Sequence, residues 1–133
     1  AEQSRQTSPT PRPLATVGPS TFESRYAAAA SAITLFHVRL DQRNYAGIYA
    51  MTDDTFRAST SEAEMTAMLT SLRDRSGRSV AVDEISFEIV DQEPDVQVTI
   101  VVETTFETAT GIETFVWRVT PSETVHLVSF RSR

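Results

Sequence analysis

Apolar side chains recur with a helical period from Phe22 to Leu40 and with a period of two from Val80 onward, and the change of period falls at Gly77. At 100° per residue, Phe22, Tyr26, Ala29, Ile33, Phe36, His37 and Leu40 fall within about 100° of arc, a stripe wide enough to lie on a sheet. Ser20 followed by Glu23 has the capping-box pattern, in which the hydroxyl takes an orphan backbone N–H and the carboxylate reaches back to the cap. The first helix is therefore expected to begin there. Its opposite side holds Ala27, Ser31, Leu35 and Val38, less polar than a solvated face, which points to a second covering element or a subunit contact. Asn44 to Met51 reads as a short second helix and Asp53-Asp54 as a turn. Ser61 with Glu64 repeats the capping box and opens a helix to about Arg75, with Met65, Met68, Leu69 and Leu72 facing inward and Gly77 as its C-terminal cap.

Past Gly77, the segments Val80–Val90, Val96–Glu107, Ile112–Thr120 and Val125–Arg131 are rich in Val, Ile, Thr and Phe. They are separated by turn signals at Asp91 to Asp95 with Pro94, at Thr110-Gly111 and at Pro121-Ser122. This pattern predicts a four-stranded antiparallel meander. Val96, Val98, Ile100 and Val102 share one face of the second strand, and Phe115, Trp117 and Val119 one face of the third. Two to three helices packed on one face of such a sheet make an α+β roll.

Composition changes the picture at the amino terminus. Residues 1–19 hold four of the six prolines among Ser, Thr and Gln, a mix that buries too little apolar surface to fold, so they are expected to form a disordered tether ahead of one domain over residues 20–133. With the chain starting at Ala1 rather than Met, the expectation is an exported protein, periplasmic or extracellular, with a fragment of a larger chain as the second reading. No apolar run is long enough to span a membrane. Without cysteine there is no disulfide framework, thiolate metal site or cysteine nucleophile.

The net charge of -6 is carried almost wholly by residues 78–133, where ten acids face four arginines. An acidic sheet repels phosphate backbones, which argues against nucleic acid as a partner. All twelve basic residues are Arg, which removes Schiff-base lysine chemistry and most simply reflects a GC-rich coding sequence.

The stretch LDQRNYAGIYAMTDDTFRASTSEAEM (Leu40 to Met65), the exit LRDRSGRSV (Leu72 to Val80) and the closing TVHLVSFR (Thr124 to Arg131) resemble small bacterial exported domains of unknown function in the nuclear transport factor 2-like, or cystatin-like, superfamily. In the last stretch Val125 stands where that group often has tryptophan and Ser129 where it has glycine. The resemblance covers Ser20 to Arg133 and implies a cone-shaped roll, with the helices on a curved four-stranded sheet. It says little about activity, because that superfamily hosts isomerases, dehydratases, transport factors and secretion scaffolds on one frame.

Candidate pocket residues are Tyr26, His37, Asp41, Tyr49 and Trp117. His37 and Asp41 are four apart, the spacing of a base and its orienting carboxylate, although the same spacing makes an ordinary helix-surface pair. Tyr26 points into the expected cone, where isomerases of this fold can place a tyrosine, although most inward tyrosines on such helices are core residues with one satisfied hydroxyl. Trp117, beside Phe115 and Val119, marks either a cavity for a flat apolar ligand or the core. Asp83 and Glu84 read as the wet face of the first strand, and His126 as solvent-facing. No phosphate-binding glycine loop, metal-ligand spacing or serine elbow occurs, so no cofactor, metal or catalytic residue is assigned.

The reading is a non-catalytic binding or assembly module of the bacterial cell envelope, with a homodimer on the outer sheet face or an envelope protein as partner. The alternatives are a small isomerase or dehydratase using the cone interior through Tyr26, His37 and Asp41, and a carrier of a small apolar ligand. The enzyme alternative requires that Phe36, Phe87 and Trp117 leave the interior open.

Overall fold

The computed structural model describes residues 21–133. The tether expected over residues 1–19 and the Ser20 cap lie outside them. Among the described residues the elements are α1 (Phe22–Asp41), α2 (Tyr45–Tyr49), α3 (Asp54–Ser59) and α4 (Glu62–Ser76), then β1 (Ser79–Gln92), β2 (Asp95–Phe106), β3 (Thr110–Val119) and β4 (Val125–Ser132). The strands form one antiparallel sheet in the order β1-β2-β3-β4, curved and unclosed, with all four helices preceding it, an α+β fold.

Local chemistry sets the helix ends. α1 is capped one residue later than the Ser20–Glu23 pattern implies: Thr21 Oγ1 accepts from the Ser24 N–H at 3.0 Å, and Ser24 Oγ accepts from the Thr21 N–H at 3.0 Å. Asp53-Asp54 is more than a turn, because the Asp53 carboxylate accepts from the Phe56 N–H at 2.9 Å and so caps α3, a helix too short to show a period. α4 has the expected Ser61–Glu64 box, and Gly77 ends it at φ 80°, a conformation in which side chains are strained.

The core fills the concave face of the sheet. Val96, Val98, Ile100 and Val102 of β2 and Phe115, Trp117 and Val119 of β3 all point into it, as their alternation predicts. From the helices come Ala29, Ile33, Phe36 and Leu40 of α1, Ile48, Phe56, and Met65, Leu69 and Leu72 of α4. Phe36 sits at the centre, 5.0 Å from the Phe115 ring and 4.9 Å from that of Phe130. Burying such side chains contributes roughly 1.5–3 kcal/mol each.

Three apolar residues depart from the expected inward positions. Phe22 lies in the first turn of α1 and is exposed; Met68 turns out from α4; and Phe87 is 53 % exposed because β1 lies at the rim of the sheet. The interior is thus filled by Phe36, Phe115, Trp117 and Phe130 rather than by Phe87.

β1 differs from the other strands. Nearly every residue along it is exposed, with Val80 at 67 % and Ile85 at 56 %. Two irregularities in its pairing with β2, between Ser79 and Ala81 and between Glu84 and Ser86, make Val80 and Ile85 the extra residues of β-bulges.

Candidate functional site

α1 runs antiparallel to β1 and is tied to it at both ends of a groove. At one end the Asp41 carboxylate accepts from the Ser79 N–H at 2.8 Å and from the Ser79 hydroxyl at 2.7 Å. At the other, the Tyr26 hydroxyl donates to Glu84 Oε1, and the Tyr26 ring lies 4.7 Å from that of Phe87. The accepting Glu84 carboxylate, then partial burial and then the Glu84 charge raise the Tyr26 phenol above its ordinary value of 10.0. Beyond this end the Arg25 guanidinium donates to the Pro94 carbonyl at 3.1 Å, fixing the start of α1 beside the β1–β2 turn.

Between the two ties lies a groove of about 350 Å³. Its α1 wall carries Ala30, Thr34 and Val38, and its β1 wall Val80, Ala81 and Val82. Ile33, His37, Ile100 and Val102 close its floor, and Asp41 and Glu84 stand at its ends. Among the described residues no Arg or Lys lines it, and both nitrogens of His37 in its floor are engaged elsewhere, so the groove suits an apolar guest that is neutral or cationic. A depression of about 430 Å³ beside Met68, Ile112 and Phe130 is larger, but its charged groups, Arg131 and Arg133, are exposed and no buried polar group floors it.

Beneath the groove is a buried polar cluster. His37 is 4 % exposed, and its Nδ1 lies 3.0 Å from the Ile33 carbonyl oxygen; since that oxygen can only accept, Nδ1 carries a hydrogen. Nε2 lies 2.7 Å from Glu113 Oε1, so a single proton between them serves the pair. The Thr104 hydroxyl donates to the same Oε1 at 2.6 Å. Glu113 is fully buried, and its Oε2 has no hydrogen-bond partner among the described residues. Both imidazole nitrogens are therefore occupied within the fold, and neither is free to exchange a proton with a guest in the groove.

Of the residues singled out from the sequence, the groove brings together His37 and Asp41, with Tyr26 bonded to its Glu84 end. His37 and Asp41 do not pair with each other: the acid on His37 is Glu113, 76 residues on, while Asp41 holds Ser79. Tyr49 lies elsewhere, donating to the Thr60 carbonyl at 3.0 Å with the Arg57 guanidinium 5.2 Å above its ring. Trp117 is fully buried and stacked 5.8 Å from Phe115, a core position rather than a cavity wall. Glu113 and Thr104 escaped the reading, although a signal for both exists. Each is two residues from an inward apolar position, Phe115 and Val102, so a strict period of two places them on the buried face.

Among the described residues no group of three or more His, Asp or Glu side chains is arranged to hold a metal ion, and no helix is long and apolar enough to cross a membrane. No family model, curated protein or solved structure matches the chain.

Proposed function

We propose that this chain is a non-catalytic binding module of the bacterial cell envelope, of the nuclear transport factor 2-like kind, whose binding surface is β1 together with the groove between β1 and α1. The observation that carries the reading is the exposure of β1: Val80, Val82, Ile85, Phe87 and Val90 all stand in solvent on one strand, next to a groove with apolar walls. Several exposed apolar side chains gathered on one strand of a folded domain mark a place where something binds. The polar groups around the groove favour binding over catalysis, since Asp41, Glu84 and both nitrogens of His37 are engaged in hydrogen bonds that hold the fold. The exported location rests on the Pro/Ser/Thr-rich composition of residues 1–19.

Nile red, a neutral apolar dye, tests the surface directly. Its fluorescence should rise on addition of the protein and lose most of that rise in a Val80→Ser/Ile85→Ser/Phe87→Ser variant whose circular dichroism matches the parent. No rise, or a rise that the triple variant retains, removes this surface as the binding site.

A further inference from the structure

The two edges of the sheet are treated differently. The outer edge of β4 is engaged at Leu127 by the segment between α2 and α3: the Asp53 N–H donates to the Leu127 carbonyl at 3.0 Å, the Leu127 N–H donates to the Met51 carbonyl at 2.7 Å, and Thr52 bridges Leu127 in parallel. The edge of β1 has no strand beside it among the described residues. Its bulges leave two regular runs, Ala81–Glu84 and Ser86–Gln92, in which every second residue turns its N–H and C=O away from β2.

Residues opposite each other in the β1–β2 register share a face. Val82, Glu84, Phe87, Ile89 and Asp91 lie on the side of α1, and Asp83, Glu88 and Val90 on the outer side. On that outer side Asp83 stands directly opposite Glu103, an arrangement of like charges that disfavours the pairing. Among the described residues neither of these acids nor Glu88 has an ion-pair partner, and β1 carries Asp83, Glu84, Glu88 and Asp91 with no basic residue.

From these features we infer that β1 accepts, as a fifth strand, an extended segment of a partner protein with apolar side chains on one face and Arg or Lys on the other. The inference rests on the reading of β1 as the binding surface and names the chemistry of its partner. Backbone hydrogen bonds to the open edge supply affinity, and the alternating side chains supply selectivity. Apolar side chains on the inner face join Val82 and Phe87 and cover the mouth of the groove, while cations on the outer face stand beside Asp83 and Glu88 and offset the Asp83–Glu103 repulsion. A second copy of this chain is a poor occupant, because its β1 brings four more acids and no base.

The probe is a capped peptide of alternating Arg and Val, as long as Ser86–Gln92, titrated into ¹⁵N-labelled protein. Saturable amide shifts are expected along residues 79–92 and the groove walls. Affinity should fall roughly tenfold in Asp83→Lys/Glu88→Lys, whose two sites are exposed and outside the core. A Glu/Val peptide, or the Arg/Val peptide N-methylated at alternate amides, should not bind. The inference is overturned by the absence of saturable binding, by binding that the Glu/Val or N-methylated peptide matches, or by shifts on another face. It is equally overturned if shifts at 79–92 appear on concentrating the protein alone, or if peptide binds only after deletion of residues 1–20, since the occupant is then a second copy or the chain's own amino-terminal residues. A protein that lights up Nile red but ignores the peptide retains its apolar site and loses only strand addition; failure of both assays removes the binding surface as well.

Discussion

Oε1 of the fully buried Glu113 accepts from the Thr104 hydroxyl and shares a proton with His37 Nε2, which links α1, β2 and β3 at one oxygen. Removing one partner of a buried pair leaves the other without compensation and costs about 3–5 kcal/mol. Glu113→Ala should lose stability on that order in urea unfolding. Glu113→Gln, whose amide can donate to Nε2, should lose less. An Ala variant that unfolds at the parent's urea midpoint would show that the cluster does not hold α1 on the sheet. Individual residues were only partly legible in the sequence. His37 falls on the apolar stripe of its helix and is buried as that position implies, but the identity of its acid depends on which strand passes beneath it. Asp41, the nearer acid along the helix, is drawn instead to Ser79, where β1 begins and backbone donors are free.

At the scale of elements, local signals in the chain were the most dependable. The box at Ser61 is present as its spacing predicts, with Glu64 Oε1 accepting from the Ser61 N–H at 2.8 Å. That backbone donor, and after it the Ser61 hydroxyl, hold the Glu64 carboxyl below its ordinary value of 4.5. A carboxyl depressed in the folded state stabilises the fold above its unfolded value, and the stabilisation is lost as pH falls through the folded one. The difference in melting temperature between the parent and Glu64→Gln should therefore be present at neutral pH and disappear in acid; a difference that grows on acidification contradicts the role given to the carboxylate.

Gly77 offers a second check on an element boundary. Its φ of 80° disfavours a side chain, and a Cβ built there meets Glu107 Oε1 at 2.6 Å and Glu107 Cβ at 2.9 Å. Gly77→Ala should cost about 1–2 kcal/mol in thermal unfolding, and a neutral substitution would mean that the helix-to-strand joint relaxes. What escaped the sequence at this scale was short or irregular. α3 has too few residues to display a period, and the bulges at Val80 and Ile85 leave no mark in composition while shifting the register around them.

For the whole molecule, the difference between the two sheet edges sets how it meets its surroundings. β4 is bonded at Leu127 by the chain itself, whereas β1 carries bulges and carboxylates, devices that natural sheets use against edge-to-edge association. Because that protection is partly electrostatic, salt should weaken it: the Debye length falls to about 3 Å at about 1 M ionic strength. Sedimentation velocity should show a monomer in dilute buffer and larger species at high salt, and the triple Ser variant of β1 should stay monomeric in both. Salt-induced association that the triple variant keeps would move the sticky surface elsewhere.

The order of elements apart from α3, the α+β class, the inward faces of β2 and β3 and the caps of α4 were determined by the sequence alone, since each follows from neighbours a few residues apart through period, capping and turn chemistry. The pairing of His37 with Glu113, the diversion of Asp41 to Ser79, the groove and the open edge of β1 were decided by tertiary structure. These depend on which residues distant in the chain meet once the sheet curves, and on which strand is left without a neighbour when it does not close.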